Sequence, residues 1–255
     1  MNVLVTGGTG ILGRHVVQRL RQQGHRARIF SRQPRGHVDA VQGDLKTGAN
    51  LGKALKGMDA IVHAATEARR SLRSRGDVKG TRNLMKAAKQ HNIKHVVYVS
   101  IVGIDGVPYP YYRTKVACEQ IVKQGDVPWS ILRATQFHDQ MERLLHGFSR
   151  VPGVTAIPFA WKYQPVDAKE VAARLVEVVL GDPKAMLEDF GGPEVRDFKS
   201  IAEAWLVARK DNRRLIDLPM PFKFSKQFAD GVLTTEHKAG KLDFDGYLAE
   251  TYVLS

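Results

Sequence analysis

The feature that most constrains the fold is a glycine-rich stretch near the amino terminus. The apolar run of residues 3–5 is followed by Gly7, Gly10 and Gly13, and apolar residues then recur at helical spacing up to residue 20. This order predicts a strand, a tight turn and a helix. Gly7 permits the sharp turn, Gly10 lets backbone amides approach a phosphate, and Gly13 lets the helix pack closely against the strand.

The amino-terminal end of this predicted helix is suited to bind an anion. Backbone amides point toward that end, and the helix dipole makes it positive, so we predict a cradle for the pyrophosphate of a dinucleotide. A nucleoside-triphosphate loop is excluded, because Arg14 and His15 follow Gly13 where that motif requires a lysine and a hydroxyl. The candidate cradle residues are Gly7, Thr9, Gly10, Ile11, Leu12 and Gly13.

Composition bounds the class of protein. The 255 residues, of which 43% are hydrophobic and 25% charged, are typical of a globular chain with a full core. No apolar run approaches the roughly 20 residues that a membrane span requires, so we expect a cytoplasmic protein that does not contact a membrane. The single cysteine, Cys118, excludes an intrachain disulfide, and the nine histidines form no ligand pattern, so no metal is expected.

The formal net charge of +13 favours an anionic ligand. Such a charge attracts nucleic acid as well as a phosphate-rich cofactor, but no nucleic-acid-binding motif accompanies it. We therefore expect a phosphate-bearing cofactor and no specific nucleic-acid binding. Part of the positive charge is concentrated in one polar segment, at Arg69, Arg70, Arg73 and Arg75.

Strand and helix patterns alternate along the chain. Apolar strand patterns at residues 26–31, 38–41, 59–63 and 95–100 are separated by helical ones. The alternation predicts an α/β fold, a Rossmann-type doubly wound parallel sheet whose ligands lie beyond the carboxyl ends of the strands. We expect an NAD(P)-binding core over residues 1–157 and a smaller substrate-side subdomain over residues 158–255, interleaved with the core as one structural unit without a linker.

The end of the second strand bears on the choice of cofactor. NAD-binding folds place an acidic residue about 20 residues beyond the glycines to hold the ribose 2′-hydroxyl. No acidic residue lies between Ile29 and His37. A hydroxyl and two guanidinium groups stand there instead, and they fit a 2′-phosphate with no carboxylate to repel it. These groups belong to Ser31, Arg32 and Arg35. The sequence therefore predicts NADP(H), although arginines in this chain also decorate solvated loops.

The next strand ends supply further candidate contacts to the cofactor. Asp44, followed by Leu45, is placed to accept a hydrogen bond from the adenine amino group. Small residues after the fourth strand let a nicotinamide ribose lie against the backbone. These residues are Ala64, Ala65 and Thr66. His63 is interpreted as a packing residue and Asp77 as the cap of the following helix.

A serine, a tyrosine and a lysine follow the fifth strand in a pattern suited to proton transfer. Ser100 ends the strand, and Tyr111 and Lys115 are four residues apart in a helical pattern, so they share one helix face. A nearby ammonium favours the ionised phenol, and we expect it to lower the pKa of Tyr111 from about 10 toward neutrality. We predict that Tyr111 donates a proton to a carbonyl oxygen, that Ser100 orients this oxygen and that Lys115 binds the cofactor ribose. Tyr109 and Tyr112 compete for the role of Tyr111.

Together these motifs resemble the short-chain dehydrogenases/reductases. The stretches that carry the resemblance are TGGTGILG (residues 6–13), GDL (43–45), YVS (98–100) and Tyr111-x-x-x-Lys115, and the version is similar to the atypical, extended branch that includes the NmrA-like NAD(P)-binding proteins. The resemblance implies NAD(P)-dependent reductases, dehydrogenases, epimerases and dehydratases of one fold. NmrA-like members also include regulators that have lost the tyrosine. Because the chain retains Tyr111 and Lys115, an enzyme is favoured.

The carboxyl-terminal third supplies candidate substrate contacts. Gln136, Phe137 and His138 follow a predicted strand at residues 127–132 and are expected to border the nicotinamide or the substrate, with Gln136 assigned to the cofactor. For His138, a surface histidine at a helix start is the alternative. Trp161 and Tyr163 follow another short strand and are predicted as walls of a substrate pocket.

We therefore expect an NADPH-dependent oxidoreductase that transfers hydride to a carbonyl or an activated double bond of a small organic molecule. Two alternatives remain. One is a non-catalytic NADP(H)-sensing regulator, for which residues 69–75 are a candidate surface for a protein partner. The other is a sugar-nucleotide epimerase or dehydratase, in which the cofactor is regenerated in each cycle. Dehydratases of that kind often place an acidic residue beside the catalytic serine, and Ile101 occupies that position here.

Overall fold

The computed structural model describes residues 1–34, 36–67 and 76–252, which form two compact units interleaved along the chain. Unit 1 comprises Met1–Ser100, Tyr109–Arg133 and Lys169–Glu188, and unit 2 comprises Ile101–Pro108, Ala134–Ala168 and the described residues from Asp189 onward. This division differs from the predicted boundary between residues 157 and 158. The reason is that a strand near residue 185 joins the main sheet, and it draws residues 169–188 into unit 1.

The strands are β1 (Asn2–Thr6), β2 (Arg26–Ser31), β3 (Ala40–Gln42), β4 (Ala60–His63), β5 (His95–Ile101), β6 (Trp129–Ala134), β7 (Val154–Ile157), β8 (Lys162–Tyr163), β9 (Ala185–Met186), β10 (Arg196–Asp197) and β11 (Arg214–Asp217). The helices are α1 (Ile11–Gln22), α2 (Leu51–Leu55), α3 (Gly76–Gln90), α4 (Pro110–Lys123), α5 (His138–Phe148), α6 (Ala168–Leu180), α7 (Phe198–Ala208), α8 (Ser225–Ala229) and α9 (Phe244–Tyr252).

Unit 1 is built on a seven-stranded parallel sheet in the order β3-β2-β1-β4-β5-β6-β9. Thr6 at the end of β1 lies opposite Phe30 of β2 and His63 of β4, so the exits of these three strands are level with one another. The central strands β1, β4 and β5 are buried along almost their whole length, as expected of a parallel sheet that helices cover on both faces. The predicted α/β fold with a Rossmann-type doubly wound parallel sheet is confirmed.

Local backbone chemistry shifts several element boundaries from their predicted positions. The pattern of residues 49–56 predicts a helix, but α2 begins only at Leu51 because Asn50 is left-handed, with φ of 61°. Strand β3 begins at Ala40, two residues later than predicted, after Asp39, whose φ is 50° and whose carboxylate pairs with Arg26 and Arg28. The pattern of residues 222–233 predicts a helix, of which α8 covers only Ser225–Ala229, and no helix is predicted for the residues of α9.

Unit 2 holds two small sheets and the helices α5 and α7 to α9. Strands β8 and β10 pair antiparallel, whereas β7 and β11 pair parallel. Glu142 of α5 ties the helices together, because its carboxylate accepts hydrogen bonds from Trp205 Nε1 of α7 at 3.1 Å and from the Tyr247 hydroxyl of α9 at 2.7 Å. Within the described ranges, no helix is both long and apolar enough to cross a membrane.

Candidate active site

The predicted glycine cradle forms the turn between β1 and α1. Gly7 has a φ of +71°, and the Gly10 amide donates to the Gly7 carbonyl at 2.9 Å. A Cβ on Gly7 would lie 2.7 Å from the Ala65 amide nitrogen, and a Cβ on Gly13 would lie 2.2 Å from the Gly7 carbonyl oxygen. Only glycine permits this packing at either position.

The amino terminus of α1 fits the pyrophosphate of a dinucleotide. Gly10 is the N-cap residue of α1, and none of the described residues makes a side-chain cap hydrogen bond there. The first amides of an α-helix have no acceptor within the helix. An anion placed there would satisfy these amides and meet the positive end of the helix dipole.

The end of β2 carries the residues predicted to bind a 2′-phosphate. Ser31 is half-buried and its Oγ accepts a hydrogen bond from the Gln33 amide at 3.2 Å. Arg32 has a side chain that is 60% exposed, and it forms an ion pair with Glu67. The expectation that no carboxylate lies near these groups is therefore wrong, because the chain after β4 brings one to Arg32. Arg35 and residues 69–75 lie outside the described residues.

Asp44 and Leu45 lie in the turn after β3. The Asp44 carboxylate accepts a hydrogen bond from the Lys46 amide at 2.8 Å, and the Leu45 carbonyl accepts one from Asn83 Nδ2 at 2.9 Å. These bonds fix the turn that follows β3, the edge strand that pairs with β2. The predicted contact of Asp44 with an adenine amino group stays a prediction.

The segment after β4 links the glycine turn to the predicted catalytic tyrosine. The Ala64 amide continues the strand ladder by donating to the Thr6 carbonyl at 3.2 Å. Thr66 Oγ1 donates to Asp77 Oδ2 at 2.8 Å and lies 3.4 Å from the Tyr111 hydroxyl. The Glu67 amide donates to the same Asp77 carboxylate at 3.1 Å. Sequence reasoning assigned Asp77 only to helix capping, because these bonds join residues that are distant along the chain.

Tyr111 and Lys115 lie one turn apart on α4, as predicted, but the lysine is turned toward β5. Lys115 is buried, its Nζ donates to the Val99 carbonyl at 2.5 Å, and it lies 4.2 Å from the centre of the Tyr98 ring. Burial lowers the pKa of Lys115 to about 8. The ammonium is thus held beside the strand residue that precedes Ser100.

The expected lowering of the Tyr111 pKa is wrong in this structure. Burial raises the pKa of the Tyr111 phenol, and the Asp77 carboxylate raises it further, whereas the hydrogen bond with Thr66 acts in the opposite direction. The reason is that the Lys115 ammonium contacts Val99 and the Tyr98 ring instead. Tyr111 is therefore a protonated phenol at neutral pH, which is the form that can donate a proton.

Ser100 lies near the end of β5, and its hydroxyl is buried without a partner among the described residues. The residue is 2% exposed, and within the described part of the chain its Oγ has no hydrogen-bond partner. Buried hydroxyls are nearly always hydrogen-bonded, so an unpaired one calls for a water or a ligand atom. A substrate oxygen at this position would satisfy it.

The neighbouring tyrosines differ from Tyr111 in their contacts. Tyr112 packs its ring edge-on to Tyr109, with 5.1 Å between the ring centres, and burial raises its pKa strongly. The Tyr111 hydroxyl is instead next to Thr66 in the segment after β4. Tyr109 lies outside the helix as its N-cap residue, so the helix position favours Tyr111 over Tyr109, and the contact with Thr66 favours it over Tyr112.

An ion pair that sequence reasoning missed holds α4 against β6. Arg133 donates two hydrogen bonds to the Glu119 carboxylate, at 2.9 and 2.8 Å, and the Glu119 side chain is only 1% exposed. A bidentate pair of this kind fixes both distance and orientation. It therefore stabilises the helix that carries Tyr111 and Lys115.

The remaining predicted contacts, Gln136, Phe137, His138, Trp161 and Tyr163, all lie in unit 2. Gln136 is buried, its Oε1 accepts from the Gln164 amide at 3.3 Å, and its Nε2 donates to the Leu233 carbonyl at 3.3 Å. Phe137 is the half-buried N-cap residue of α5. These bonds give Gln136 a structural role, and its assignment to the cofactor stays a prediction.

The other three side chains pack inside unit 2. His138 is fully buried, contrary to its alternative reading as a surface residue, and its Nε2 lies 3.1 Å from the Leu242 carbonyl oxygen. Trp161 Nε1 donates to Ser225 Oγ at 2.8 Å, and Tyr163 packs edge-on against Phe198 with ring centres 5.1 Å apart. The side chains of Trp161 and Tyr163 are 6% and 4% exposed, so they pack in the core of unit 2 and do not line an open pocket.

His63 is buried in the structure, which confirms that it is a packing residue. Its burial also makes the stability of the fold depend on pH. The histidine is buried between the hydroxyls of Thr6 and Thr81, at 2.7 and 3.0 Å from its ring nitrogens, and burial lowers its pKa to about 3. An unfolded chain binds a proton at this side chain below about pH 6.5, whereas the folded chain does not until about pH 3. The free energy of unfolding therefore falls as the pH is lowered through this interval.

We expect His63→Gln to reduce the acid sensitivity of the fold. Between pH 7 and pH 4, the His63 contribution to the loss of unfolding free energy is about 3 kcal/mol, and glutamine has no such contribution. Urea denaturation of both proteins at the two pH values measures the difference. An equal loss of stability in wild type and variant would contradict the buried neutral histidine.

The glycine turn, the parallel sheet and the Ser100, Tyr111 and Lys115 side chains define the class as a dinucleotide-binding protein with a Rossmann-type fold. A family model described as NAD(P)H-binding matches residues 7–180, which is more than half of the chain. The chain belongs to this family and is an atypical member of the short-chain dehydrogenase/reductase superfamily. The superfamily predicted from the sequence is confirmed.

Curated relatives are similar to this chain over different shares of its length. A 3-beta-hydroxysteroid dehydrogenase from Mycolicibacterium neoaurum is 29% identical over 58% of this chain and 53% of its own length. A (4-alkanoyl-5-oxo-2,5-dihydrofuran-3-yl)methyl phosphate reductase from Streptomyces griseus is 27% identical over 91% of this chain and 79% of its own. The chain spans about half the length of several curated relatives that it matches.

A solved structure shows the same fold. The crystal structure of a short-chain dehydrogenase/reductase superfamily protein from Agrobacterium tumefaciens with bound NAD is similar at a TM-score of 0.74 and 20% identity. The similarity covers 99% of this chain and 96% of that one. The dehydrogenases and reductases among the relatives agree with the sequence prediction of an oxidoreductase.

Proposed function

We propose that the protein is an NADPH-dependent reductase that acts on a carbonyl, or on an activated double bond, of a small organic molecule. The observation that carries this proposal is the position of Tyr111. It lies on the same helix face as Lys115, and its hydroxyl is 3.4 Å from Thr66 Oγ1 in the segment after β4. A phenol held there can donate a proton to a carbonyl oxygen as the carbonyl carbon is reduced.

Each residue has a separate part in the reaction. The reduced nicotinamide, when bound, supplies a hydride to the carbonyl carbon. Tyr111 donates its proton to the carbonyl oxygen, so that an alcohol forms and a phenolate remains, which solvent then reprotonates. Ser100 donates its unpaired hydroxyl to the same oxygen and orients it. Lys115 holds a positive charge on the same helix face as the phenolate and, after exchanging its Val99 contact, binds the nicotinamide ribose.

The preference for NADP(H) is supported by the charges at the end of β2. No acidic residue stands between Ile29 and His37, and Arg32 is exposed there. A guanidinium group binds a phosphate dianion through two parallel hydrogen bonds, which a ribose hydroxyl does not reproduce.

Arg32→Ala is expected to weaken NADPH binding about 100-fold, because it removes both hydrogen bonds to the phosphate, and to leave NADH binding within about twofold. Calorimetric titration measures both dissociation constants. Arg26→Ala is the matched control, because it removes an equal charge from the start of the same strand, where Arg26 pairs with Asp39. Equal losses for NADPH and NADH in Arg32→Ala would refute the assignment of Arg32 to the 2′-phosphate.

The proposal as a whole is tested by titration with NADPH, NADP⁺, NADH and NAD⁺, followed by a panel of aldehydes, ketones and quinones. Consumption of NADPH with any member of the panel supports a reductase. Tight NADP(H) binding without consumption across a broad panel contradicts it and directs attention to a regulator with a protein partner.

A further inference from the structure

The ion pair between Arg32 and Glu67 crosses the end of the strand that carries the glycine turn. Arg32 directly follows β2, and Glu67 lies four residues beyond the end of β4. Strand β1 lies between these two strands in the sheet and leads into Gly7. The pair therefore joins the two strand exits that flank the cradle for the dinucleotide.

The carboxylate of this pair belongs to Glu67, which follows β4, and not to a residue at the end of β2. In dinucleotide folds that select NAD, the acidic residue that holds the ribose 2′-hydroxyl stands near the end of the second strand. Here that position is basic, and the carboxylate is brought in from beyond β4. The Glu67 backbone is fixed there because its amide donates to the Asp77 carboxylate at 3.1 Å.

The ion pair between Arg32 and Glu67 is exposed to solvent and is therefore weak enough for a ligand to break. The Arg32 side chain is 60% exposed and that of Glu67 is 24% exposed, and ion pairs in water contribute little to stability because solvent screens them. A phosphate dianion is a stronger partner for a guanidinium than a single carboxylate, since it carries more charge and accepts two hydrogen bonds. A 2′-phosphate can therefore replace Glu67 at Arg32, whereas a 2′-hydroxyl cannot.

We propose that Glu67 competes with the 2′-phosphate for Arg32 and thereby sets how strongly the protein discriminates NADP(H) from NAD(H). This inference rests on the proposed use of Arg32 in cofactor binding. NADP(H) binding opens the pair and leaves the Glu67 carboxylate beside a dianion, which costs affinity. NAD(H) binding leaves the pair closed. Glu67 is thus a specificity-determining residue that lowers the ratio of NADP(H) affinity to NAD(H) affinity.

Glu67→Gln is expected to tighten NADP⁺ binding about fivefold, or about 1 kcal/mol, and to change NAD⁺ binding by less than about twofold. Calorimetric titration with the two oxidised cofactors measures this without any turnover. Asp126→Asn is the matched control. It makes the same change in net charge by removing the carboxylate of the Lys89–Asp126 ion pair, which lies before β6, at the opposite end of the sheet strands.

A second pair of proteins isolates the contact itself. In an Arg32→Ala background, Glu67→Gln is expected to lose most of its effect on NADP⁺, because no guanidinium remains to be released. Glu67→Ala should tighten NADP⁺ binding in the same direction as Glu67→Gln, and circular dichroism checks that each variant is folded.

The outcomes separate this inference from the proposed function. An NADP⁺ dissociation constant that is unchanged in Glu67→Gln, or that improves equally in Asp126→Asn, overturns the inference while NADP⁺ binding by the wild type stands. A gain that persists without Arg32 overturns it as well. Failure of the wild type to bind any dinucleotide overturns the proposed function and this inference together.

Discussion

Tyr111→Phe is expected to lower the turnover rate with NADPH about 1,000-fold, which is the usual contribution of a positioned proton donor. The substitution removes one hydroxyl and leaves the ring that packs 5.8 Å from Tyr112. Binding of NADPH should stay within about threefold of wild type, because the proposed role of that hydroxyl is toward the substrate and not the cofactor. The rate under saturating NADPH and the calorimetric dissociation constant are the two measurements.

Tyr112→Phe is the matched control for this substitution. Tyr112 adjoins Tyr111 on α4 and loses the same atom, but its ring packs toward Tyr109 and its hydroxyl has no assigned step. We expect its turnover to stay within about threefold of wild type. If Tyr112→Phe lost the activity and Tyr111→Phe kept it, the roles assigned to the two phenols would be reversed.

Gly13→Ala is expected to abolish tight cofactor binding and to destabilise the fold. The new Cβ would lie 2.2 Å from the Gly7 carbonyl oxygen and 2.7 Å from Gly8 Cα, so α1 and the turn must move apart. Overpacking of this kind costs about 3 kcal/mol, which exceeds the roughly 1 kcal/mol that alanine gains over glycine inside a helix. Loss of two charge-assisted hydrogen bonds to the pyrophosphate weakens binding by about 100-fold or more.

Gly147→Ala is the matched control, since Gly147 is also a helical glycine, in α5, and a Cβ there meets nothing within 4 Å. We expect this variant to be more stable than wild type by about 0.5–1 kcal/mol and to bind NADPH normally. Thermal denaturation and calorimetry report both properties. A Gly13→Ala protein with wild-type stability and wild-type affinity would contradict the close packing of the turn.

The parts of the fold that could be predicted are those encoded locally. The turn at Gly7 and the helix that follows are specified by adjacent residues, and the apolar runs of β1, β4 and β5 are long enough to identify buried parallel strands. The boundary of α2 was missed because it depends on a left-handed Asn50, which nothing in the hydrophobic pattern indicates. Strand β9 was missed because only two of its residues pair with β6.

The sequence predicts which residues form the candidate site. It does not predict which atoms these side chains contact. The spacing of Tyr111 and Lys115 identified one helix face, but the ammonium turns to the Val99 carbonyl, which is a contact between α4 and β5 that spacing does not reveal. The same holds for Arg32, since its partner Glu67 is 35 residues away along the chain. Aromatic residues such as Trp161 follow a strand as pocket walls do, and only three-dimensional packing distinguishes the two roles.

The most direct test of the central claim follows the hydride itself. The purified protein is incubated with NADPH that carries deuterium at the transferable position of the nicotinamide, together with the panel of carbonyl compounds, and the products are examined by mass spectrometry. We expect an alcohol, or a reduced double bond, with deuterium on the carbon that accepted the hydride, and about 1,000-fold slower formation of this product by Tyr111→Phe. Deuterium that remains entirely in the NADPH, although the cofactor is bound, would contradict the assignment of a reductase.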